Sequence, residues 1–184
     1  MSLTLQKIQT MKQLKKDFKD LQENPLVNIG LCVGLTDEDN IFEWRCTFYA
    51  PKDTPYKDGL FILKILFPDN YPNEKPEVCF LTPIYHVNIN PIKSEQPLGH
   101  VCISTLNWWD PKYSIKEVLN NIYALFYRGN PDSPYGIDRA QELKSNKDLY
   151  DEKVRFFTKK YADKNRDTTK DPIYETKWDF TYQK

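Results

Sequence analysis

The chain has 184 residues, 40% of them hydrophobic and 28% charged, which suits one folded domain that needs neither a disulfide nor a metal to support its core. Its 26 basic and 26 acidic residues balance, so it lacks the positive field with which general nucleic-acid binders gather phosphates. Because it has no apolar run near the roughly 20 residues that cross a bilayer and no secretory signal at its start, we expect an intracellular protein, cytoplasmic or nuclear or both, that binds no membrane.

The first part of the chain predicts a helix followed by strands. Residues 3–23 carry apolar side chains at spacings of three and four, which indicates an amphipathic helix. Four runs rich in β-branched and aromatic residues follow, separated by turn-forming residues, and they predict a four-stranded antiparallel meander. These runs cover residues 27–35, 41–50, 60–67 and 77–81.

The second part begins with an irregular stretch of about 30 residues after Leu81, and such a stretch inside a compact domain is usually functional. Helix signals return at Ser114, which forms a capping box with Glu117, and Arg128-Gly129 is expected to end that helix. Two shorter helices are predicted over about residues 136–145 and 147–161. Because strands and helices are segregated along the chain, the fold class is α+β.

The candidates for chemistry lie in the irregular stretch. Cys102 lies at its exit, within reach of solvent, whereas the other three cysteines lie in predicted strands, where cysteine usually packs as a buried hydrophobe. His100 is a candidate base for a cysteine peptidase, although a spacing of two residues is a weak signal. His86 is more simply a residue that holds the loop, and Asn88 is either an Asx-turn residue or an amide donor to an oxyanion. With two histidines and no paired cysteines, no metal site is expected.

Six short motifs in order decide between these readings. With Thr54-Pro55-Tyr56 and Gly59 upstream, they resemble the ubiquitin-conjugating enzyme family over about residues 3–162. We therefore expect a catalytic core over residues 1–162 and an extension over residues 163–184, which is either a flexible tail or packs back through its aromatic residues. The motifs are Phe67-Pro68-Asp69-Asn70-Tyr71-Pro72, Pro76-Glu77-Val78, Tyr85-His86-Val87-Asn88-Ile89, Gly99-His100-Val101-Cys102-Ile103, Trp109-Asp110-Pro111 and Asn130-Pro131-Asp132-Ser133-Pro134.

The resemblance implies an acyltransferase. Such an enzyme accepts ubiquitin or a ubiquitin-like protein from an activating enzyme as a thioester, here on Cys102, and passes it to a lysine amine or to a ligase cysteine. The activating enzyme consumes the ATP of the pathway, so no cofactor is expected to bind this chain. A monomer is expected.

The resemblance also assigns roles to side chains around Cys102. Asn88 matches the asparagine of the family's His-Pro-Asn motif, whose amide stabilises the oxyanion or fixes the loop that carries it. His86 matches the structural histidine of the same loop, in which Tyr85 precedes it. Ser104 and Ser133 match positions where the family often has aspartate or serine near the incoming lysine, and Ser133 is expected to help gate the amine.

The motif departs from the family pattern in two places. Its proline is Val87 here, which gives up a fixed φ and restores a backbone donor. The 16 positions from His86 to Cys102 make this loop about twice the usual length, so residues 90–98 contain an insertion. Its Lys93, Glu95 and Gln96 either shape the rim of the cysteine or lie on tolerated surface.

In relatives, the activating enzyme and the ligase share a surface made of the first helix and two loops. Asn73 stands where many ligase-binding members carry a large apolar residue, so the sequence does not identify the ligase. Tyr71-Pro72 is a candidate cis bond, given the tight turn of the family there. The matching positions are Lys12, Lys16, Pro72, Asn73, Asp110 and Pro111.

Two alternatives stand beside an active conjugating enzyme. A non-catalytic relative would only position ubiquitin for another conjugating enzyme, but such relatives lack the cysteine that this chain has at position 102. A cysteine peptidase would cleave peptides without any activating enzyme. These three functions differ in whether a thioester forms and with which partner.

Overall fold

The structure is a computed structural model and describes residues 4–92, 96–166 and 177–182. Helix α1 (Leu5–Glu23) opens the fold, and Thr4 caps it by accepting a hydrogen bond from the Lys7 N–H at 3.2 Å. This helix confirms the one predicted over residues 3–23. Within the described ranges, none of the helices combines the length and the apolar character that crossing a membrane would need.

Four strands form one antiparallel sheet in the order β1 (Cys32–Leu35), β2 (Glu43–Tyr49), β3 (Leu60–Leu66), β4 (Glu77–Phe80), which confirms the predicted meander. The first predicted run is shortened, because residues 27–29 form a 3₁₀ turn that ends at Gly30 in the left-handed region, with φ 58°. Cys46 and Cys79 are buried as predicted. Cys32 is exposed, contrary to that prediction, because it begins the strand at the edge of the sheet.

The remaining helices are α2 (Ser104–Asn107), α3 (Ile115–Ala124), α4 (Ile137–Ser145) and α5 (Lys147–Tyr161). The predicted capping box is present, since the Ser114 hydroxyl and the Glu117 carboxylate each accept from the other residue's backbone N–H, at 3.2 and 2.7 Å. Helices α4 and α5 match the two predicted helices. Helix α2 lies inside the stretch that was expected to be irregular. The sequence did not predict it, because four residues are too few to show an apolar period.

The expected role of Gly129 at the end of α3 is wrong. The helix ends at Ala124, and Gly129 does not take the left-handed conformation that ends many helices. A Cβ placed on Gly129 would lie 2.7 Å from the Val87 side chain. The glycine therefore allows residues 129 and 87 to approach closely, a contact between distant parts of the chain.

The core lies between the sheet and α3. The Phe126 ring, just after α3, packs within 5.5 Å of the Phe48 ring and 5.2 Å of the Phe61 ring, both on strands. Residues 82–90 have little regular structure, yet every one of them is buried. An irregular segment at that depth must find partners for its polar groups, and these partners build the site described below.

The described part of the C-terminal extension packs on the core. The Trp178 side chain is 1% exposed, and its backbone N–H donates to the Pro91 carbonyl at 3.0 Å. The Phe180 ring lies 4.9 Å from the Phe157 ring of α5, and the Tyr161 hydroxyl donates to the Asp179 carbonyl. Residues 177–182 thus join α5 to the end of the buried segment.

Candidate active site

His86 is fixed inside the protein as a neutral imidazole. Its Nδ1 accepts from the Asn88 backbone N–H at 3.0 Å, so Nε2 carries the hydrogen and donates to the Leu125 carbonyl, also at 3.0 Å. Burial lowers the pKa of His86 to about 4. Because both ring nitrogens are engaged, His86 has none free to accept a proton from Cys102.

Val87, which replaces the proline of the motif, uses its backbone donor. Its N–H donates to the Tyr150 hydroxyl at 3.0 Å, and its carbonyl accepts from the Tyr135 N–H at 2.8 Å. The Val87 side chain is fully buried. Hydrogen bonds to two tyrosines therefore hold the loop at the position where the family motif has a proline. One of them, Tyr150, comes from α5, 63 positions along the chain.

Tyr85 anchors the start of the same loop. Its carbonyl accepts from the Tyr56 hydroxyl at 3.0 Å, and its own hydroxyl donates to the Glu142 carboxylate at 2.9 Å. Arg139, on the same helix as Glu142, is buried and donates to the His86 carbonyl at 3.0 Å. Sequence reasoning missed Arg139 and Tyr150, because no local pattern marks a partner on a distant helix.

The Asn88 side chain is 1% exposed, and all its hydrogen-bonding groups hold the turn at residues 130–133. Its Nδ2 donates to the carbonyls of Asn130 at 2.8 Å and Ser133 at 2.9 Å, and its Oδ1 accepts from the Asn130 N–H at 2.7 Å. Both amide hydrogens are therefore engaged with backbone. Of the two roles open for this amide, the geometry matches the one that fixes the neighbouring loop.

Cys102 lies at the edge of this buried segment with its side chain partly exposed. Its backbone N–H donates to the Asn88 carbonyl at 3.0 Å, and its Sγ lies 3.5 Å from the Ser133 hydroxyl. Asn107 donates from Nδ2 to the same sulfur at 3.3 Å. The sulfur opens on a cavity of about 320 Å³, whose lining includes Cys102, Ser104, Asn107, Trp108, Asn121 and Ser133.

The structure places Cys102, Ser104 and Ser133 around one cavity, whose lining also includes Asn107. Sequence reasoning missed Asn107 because it did not predict α2. The local sequence carries no signal for it, because Cys102 lies outside α2 and the two residues are five positions apart.

His100 does not pair with the thiol. Its Nδ1 shares a hydrogen bond with the Tyr135 hydroxyl, and burial, together with the charge of Lys75, lowers its pKa. No hydrogen bond in the described ranges joins His100 to Cys102, so the geometry does not favour a peptidase dyad. Those ranges also hold no group of three or more histidine, cysteine, aspartate and glutamate residues placed to bind a metal ion.

Contacts to backbone groups hold the described residues of the insertion in place. The Asn90 amide donates to the carbonyls of Gln96 and Pro97, at 3.1 and 3.0 Å, and Ile92 pairs with Lys177 of the C-terminal segment. Lys93 and Glu95 lie outside the described residues. Gln96 is exposed and is not part of the cavity lining around Cys102.

The elements expected to form a partner surface are joined to one another. Thr10 of α1 donates to the Tyr71 carbonyl at 2.7 Å, and the Trp109 indole N–H donates to the Pro72 carbonyl at 2.7 Å. The Tyr71–Pro72 bond is cis, as predicted. Most of the side chains at these positions are exposed; Pro72 and Asp110 are half-buried, and the exposed ones are Lys12, Lys16, Asn73 and Pro111.

Comparison with known families agrees with this architecture. A family model described as ubiquitin-conjugating enzyme matches residues 13–158, which is well over half of the chain. The matched range contains the whole sheet, the buried segment 82–90, Cys102 and helices α2 to α4. The match confirms the resemblance drawn from the six sequence motifs.

Proposed function

The chain belongs to the ubiquitin-conjugating enzyme family, and we propose that it is an active member that carries a modifier protein as a thioester on Cys102. Members of this family are in general transferases that act with ubiquitin, activating enzymes and ligases. The observation that carries the proposal is the Cys102 sulfur, which opens on a cavity lined by Ser104, Asn107 and Ser133 among others instead of lying in the core.

The reaction has two acyl transfers. In the first, the Cys102 thiolate attacks the thioester carbonyl of ubiquitin or a ubiquitin-like protein on the activating enzyme; the new carbon–sulfur bond forms and the thiolate of the activating enzyme leaves. In the second, a lysine amine attacks the same carbonyl carbon, loses a proton, and the Cys102 thiolate leaves. A ligase cysteine is the alternative acceptor in the second step. ATP is consumed by the activating enzyme, and the chain needs no bound cofactor.

Ser133 and Ser104 are proposed to face the acceptor. The Ser133 hydroxyl lies 3.5 Å from Sγ, close enough to contact an amine that approaches the thioester. A hydroxyl can hydrogen-bond the amine without stabilising the ammonium form as strongly as a carboxylate, which favours the neutral nucleophile. Ser104 lines the same cavity at the start of α2.

Asn88 is proposed to act on the reaction by holding Ser133 in place. Its amide already donates to the carbonyls of Asn130 and Ser133, so a direct bond to the oxyanion would require one of these hydrogen bonds to break. His86 and Tyr85 support Asn88 from below through the buried contacts described above. The activating enzyme and the ligase are proposed to bind the surface of Lys12, Lys16, Pro72, Asn73, Asp110 and Pro111.

The test is to incubate the chain with an activating enzyme, ATP and each modifier in turn. We expect one modifier to form an adduct that a reducing agent removes and that Cys102→Ala abolishes. Cys32→Ala is the matched control, because Cys32 is an exposed thiol on β1, outside the cavity, and should leave the adduct intact. If no modifier forms an adduct, the proposal is wrong.

A further inference from the structure

One side chain on the sulfur has no role in the chemistry described so far. The Asn107 amide donates to Cys102 Sγ at 3.3 Å, whereas both amide hydrogens of Asn88 are bound to backbone carbonyls. We propose that Asn107 is a catalytic residue that donates a hydrogen bond to the Cys102 thiolate, both when the sulfur attacks and when it leaves. The inference rests on the function proposed above and assigns a further residue to it.

The fold holds Asn107 in this position through a single helical turn. Helix α2 begins at Ser104, directly after the strand-like segment that carries Cys102, and Asn107 is its last residue. The Asn107 backbone N–H donates to the Ile103 carbonyl at 2.9 Å, and the Leu106 side chain is buried at 2% exposure. The buried leucine anchors the turn, and the turn brings the amide back over the sulfur five positions upstream.

The chemistry of the sulfur favours an amide donor. Hydrogen bonds to an ionised group stabilise it more than hydrogen bonds between neutral groups, and the thiolate is the reactive form of cysteine. An amide nitrogen can only donate, whereas the Ser133 hydroxyl, at 3.5 Å, can either donate to the sulfur or accept from it. Asn107 therefore acts on both steps in which Sγ carries negative charge: charging, which starts from the thiolate, and discharge, which regenerates it.

The other titratable groups near the thiol have contacts of their own. Burial first, and the charge of Cys102 second, raise the pKa of Tyr135 to about 12, so its hydroxyl stays protonated near neutral pH. His100 lies behind Tyr135 and is hydrogen-bonded to it. Asp132, next to Ser133 in the turn, is paired with Lys144 at 2.7 Å. Tyr135, His100 and Asp132 therefore have contacts of their own, whereas the Asn107 amide donates to the sulfur itself.

The test measures the thiolate directly, without any partner protein. In a Cys32→Ser background the remaining cysteines are Cys102 and two buried thiols, Cys46 and Cys79, whose pKa values burial raises to about 12. Alkylation by iodoacetamide at pH 7, followed by mass spectrometry, then reports the reactivity of the Cys102 sulfur. In Asn107→Ala we expect the alkylation rate to fall by about tenfold.

Two further variants sharpen the result. Asn107→Asp replaces the donor by a carboxylate, which repels the thiolate and should slow alkylation more than alanine does. Asn120→Ala removes an exposed amide of α3 that lies outside the cavity lining, and should leave the alkylation rate unchanged. If Asn107→Ala and Asn107→Asp are both alkylated at the parental rate, the proposed hydrogen bond is absent and the inference is overturned.

Charging and discharge assays separate this inference from the proposed function. If the parent protein forms the thioester and Asn107→Ala slows both charging and discharge in parallel with alkylation, the catalytic role is supported. If the parent charges but Asn107→Ala matches it in both steps, the inference fails while the proposed function stands. If the parent forms no thioester with any modifier, the proposed function fails, and with it the catalytic role, whatever the alkylation profile.

Discussion

Two adjacent regions of the site differ in how their polar groups are engaged. The buried loop comprises residues 85–90. Every hydrogen bond described above for the His86 and Asn88 side chains goes to a backbone partner and measures 2.7–3.0 Å. In the open rim, formed by Cys102, Ser104, Asn107 and Ser133, the contacts to the sulfur are longer, at 3.3 and 3.5 Å, and solvent reaches them.

The difference separates stability from reactivity. A buried polar group that loses its partner destabilises the fold by about 1–3 kcal/mol, whereas an exposed one can hydrogen-bond to water instead. Substitutions in or against the buried loop should therefore lower the free energy of unfolding. Substitutions in the open rim should change reaction rates and leave stability nearly unaltered.

The largest expected effect comes from the tryptophan that covers the end of the buried loop. Trp178→Ala removes a side chain that is 1% exposed and should lower the free energy of unfolding by about 3–5 kcal/mol, because a large cavity replaces it. The matched control is Trp108→Ala in the cavity lining, where the indole is 81% exposed and the change should stay within about 0.5 kcal/mol. Urea denaturation of both variants measures the difference; equal losses would erase the contrast between the two regions.

His86 should make stability depend on pH. Its pKa is about 4 in the folded protein and near 6.5 when unfolded, so between these values the unfolded chain binds a proton that the folded protein does not. The free energy of unfolding should therefore fall as the pH drops from 6.5 to 4, by on the order of 3 kcal/mol. Denaturation midpoints across this range measure it, and His86→Gln should flatten most of the slope above pH 5, where His100 is the one histidine left. An equally steep slope in that variant would contradict the assignment.

Asn88 joins the two regions, so its loss should affect both. Asn88→Ala removes three hydrogen bonds to the turn at residues 130–133, and we expect about 2 kcal/mol of destabilisation. The thioester should still form, but its discharge onto free lysine should slow, because the turn that carries Ser133 loses the side chain that holds it. Single-turnover discharge and urea denaturation give the two numbers. Discharge at the parental rate would refute any role of Asn88 in catalysis.

Tyr150→Phe tests whether the Tyr150 hydroxyl stabilises the loop at the position where the family motif has a proline. The substitution leaves the Val87 N–H without its partner at 3.0 Å in a buried site, so we expect a loss of about 1–2 kcal/mol. Tyr127→Phe, at a half-exposed ring after α3, is the control and should be nearly neutral. Thermal unfolding of the two variants side by side checks the prediction, which fails if Tyr150→Phe is as stable as the control.

The smallest effect on stability is expected in the open rim. Ser133→Ala removes an exposed hydroxyl and should change the free energy of unfolding by less than about 0.5 kcal/mol. Discharge onto lysine should nevertheless slow, and its pH dependence should shift upward, if the hydroxyl helps a neutral amine to approach. An unchanged rate and pH profile would remove Ser133 from the mechanism.

The sequence predicted the order of elements because each of them shows a period: helices α1, α3 and α5 carry apolar residues every three or four positions, and the strands are bounded by turn residues. It also located Cys102 and the loop around it, because those residues are close together in the chain. It could not place Tyr150 and Arg139, since their partners lie 63 and 53 positions away. Helix α2, and with it Asn107, was missed because one turn has no period, and the purpose of Gly129 was misread because a close tertiary contact leaves no local trace.

The anchoring of Trp178 beside Pro91 bears on how the protein should be trimmed for laboratory work. The family match ends at residue 158, and a shortened version cut near that point would look complete by sequence comparison. It would lack the Phe180 ring, which packs on the Phe157 and Tyr85 rings, and the buried indole, which packs on Phe180. Kinetics recorded on such a fragment would describe a loosened loop, so the proper starting material extends at least through residue 182.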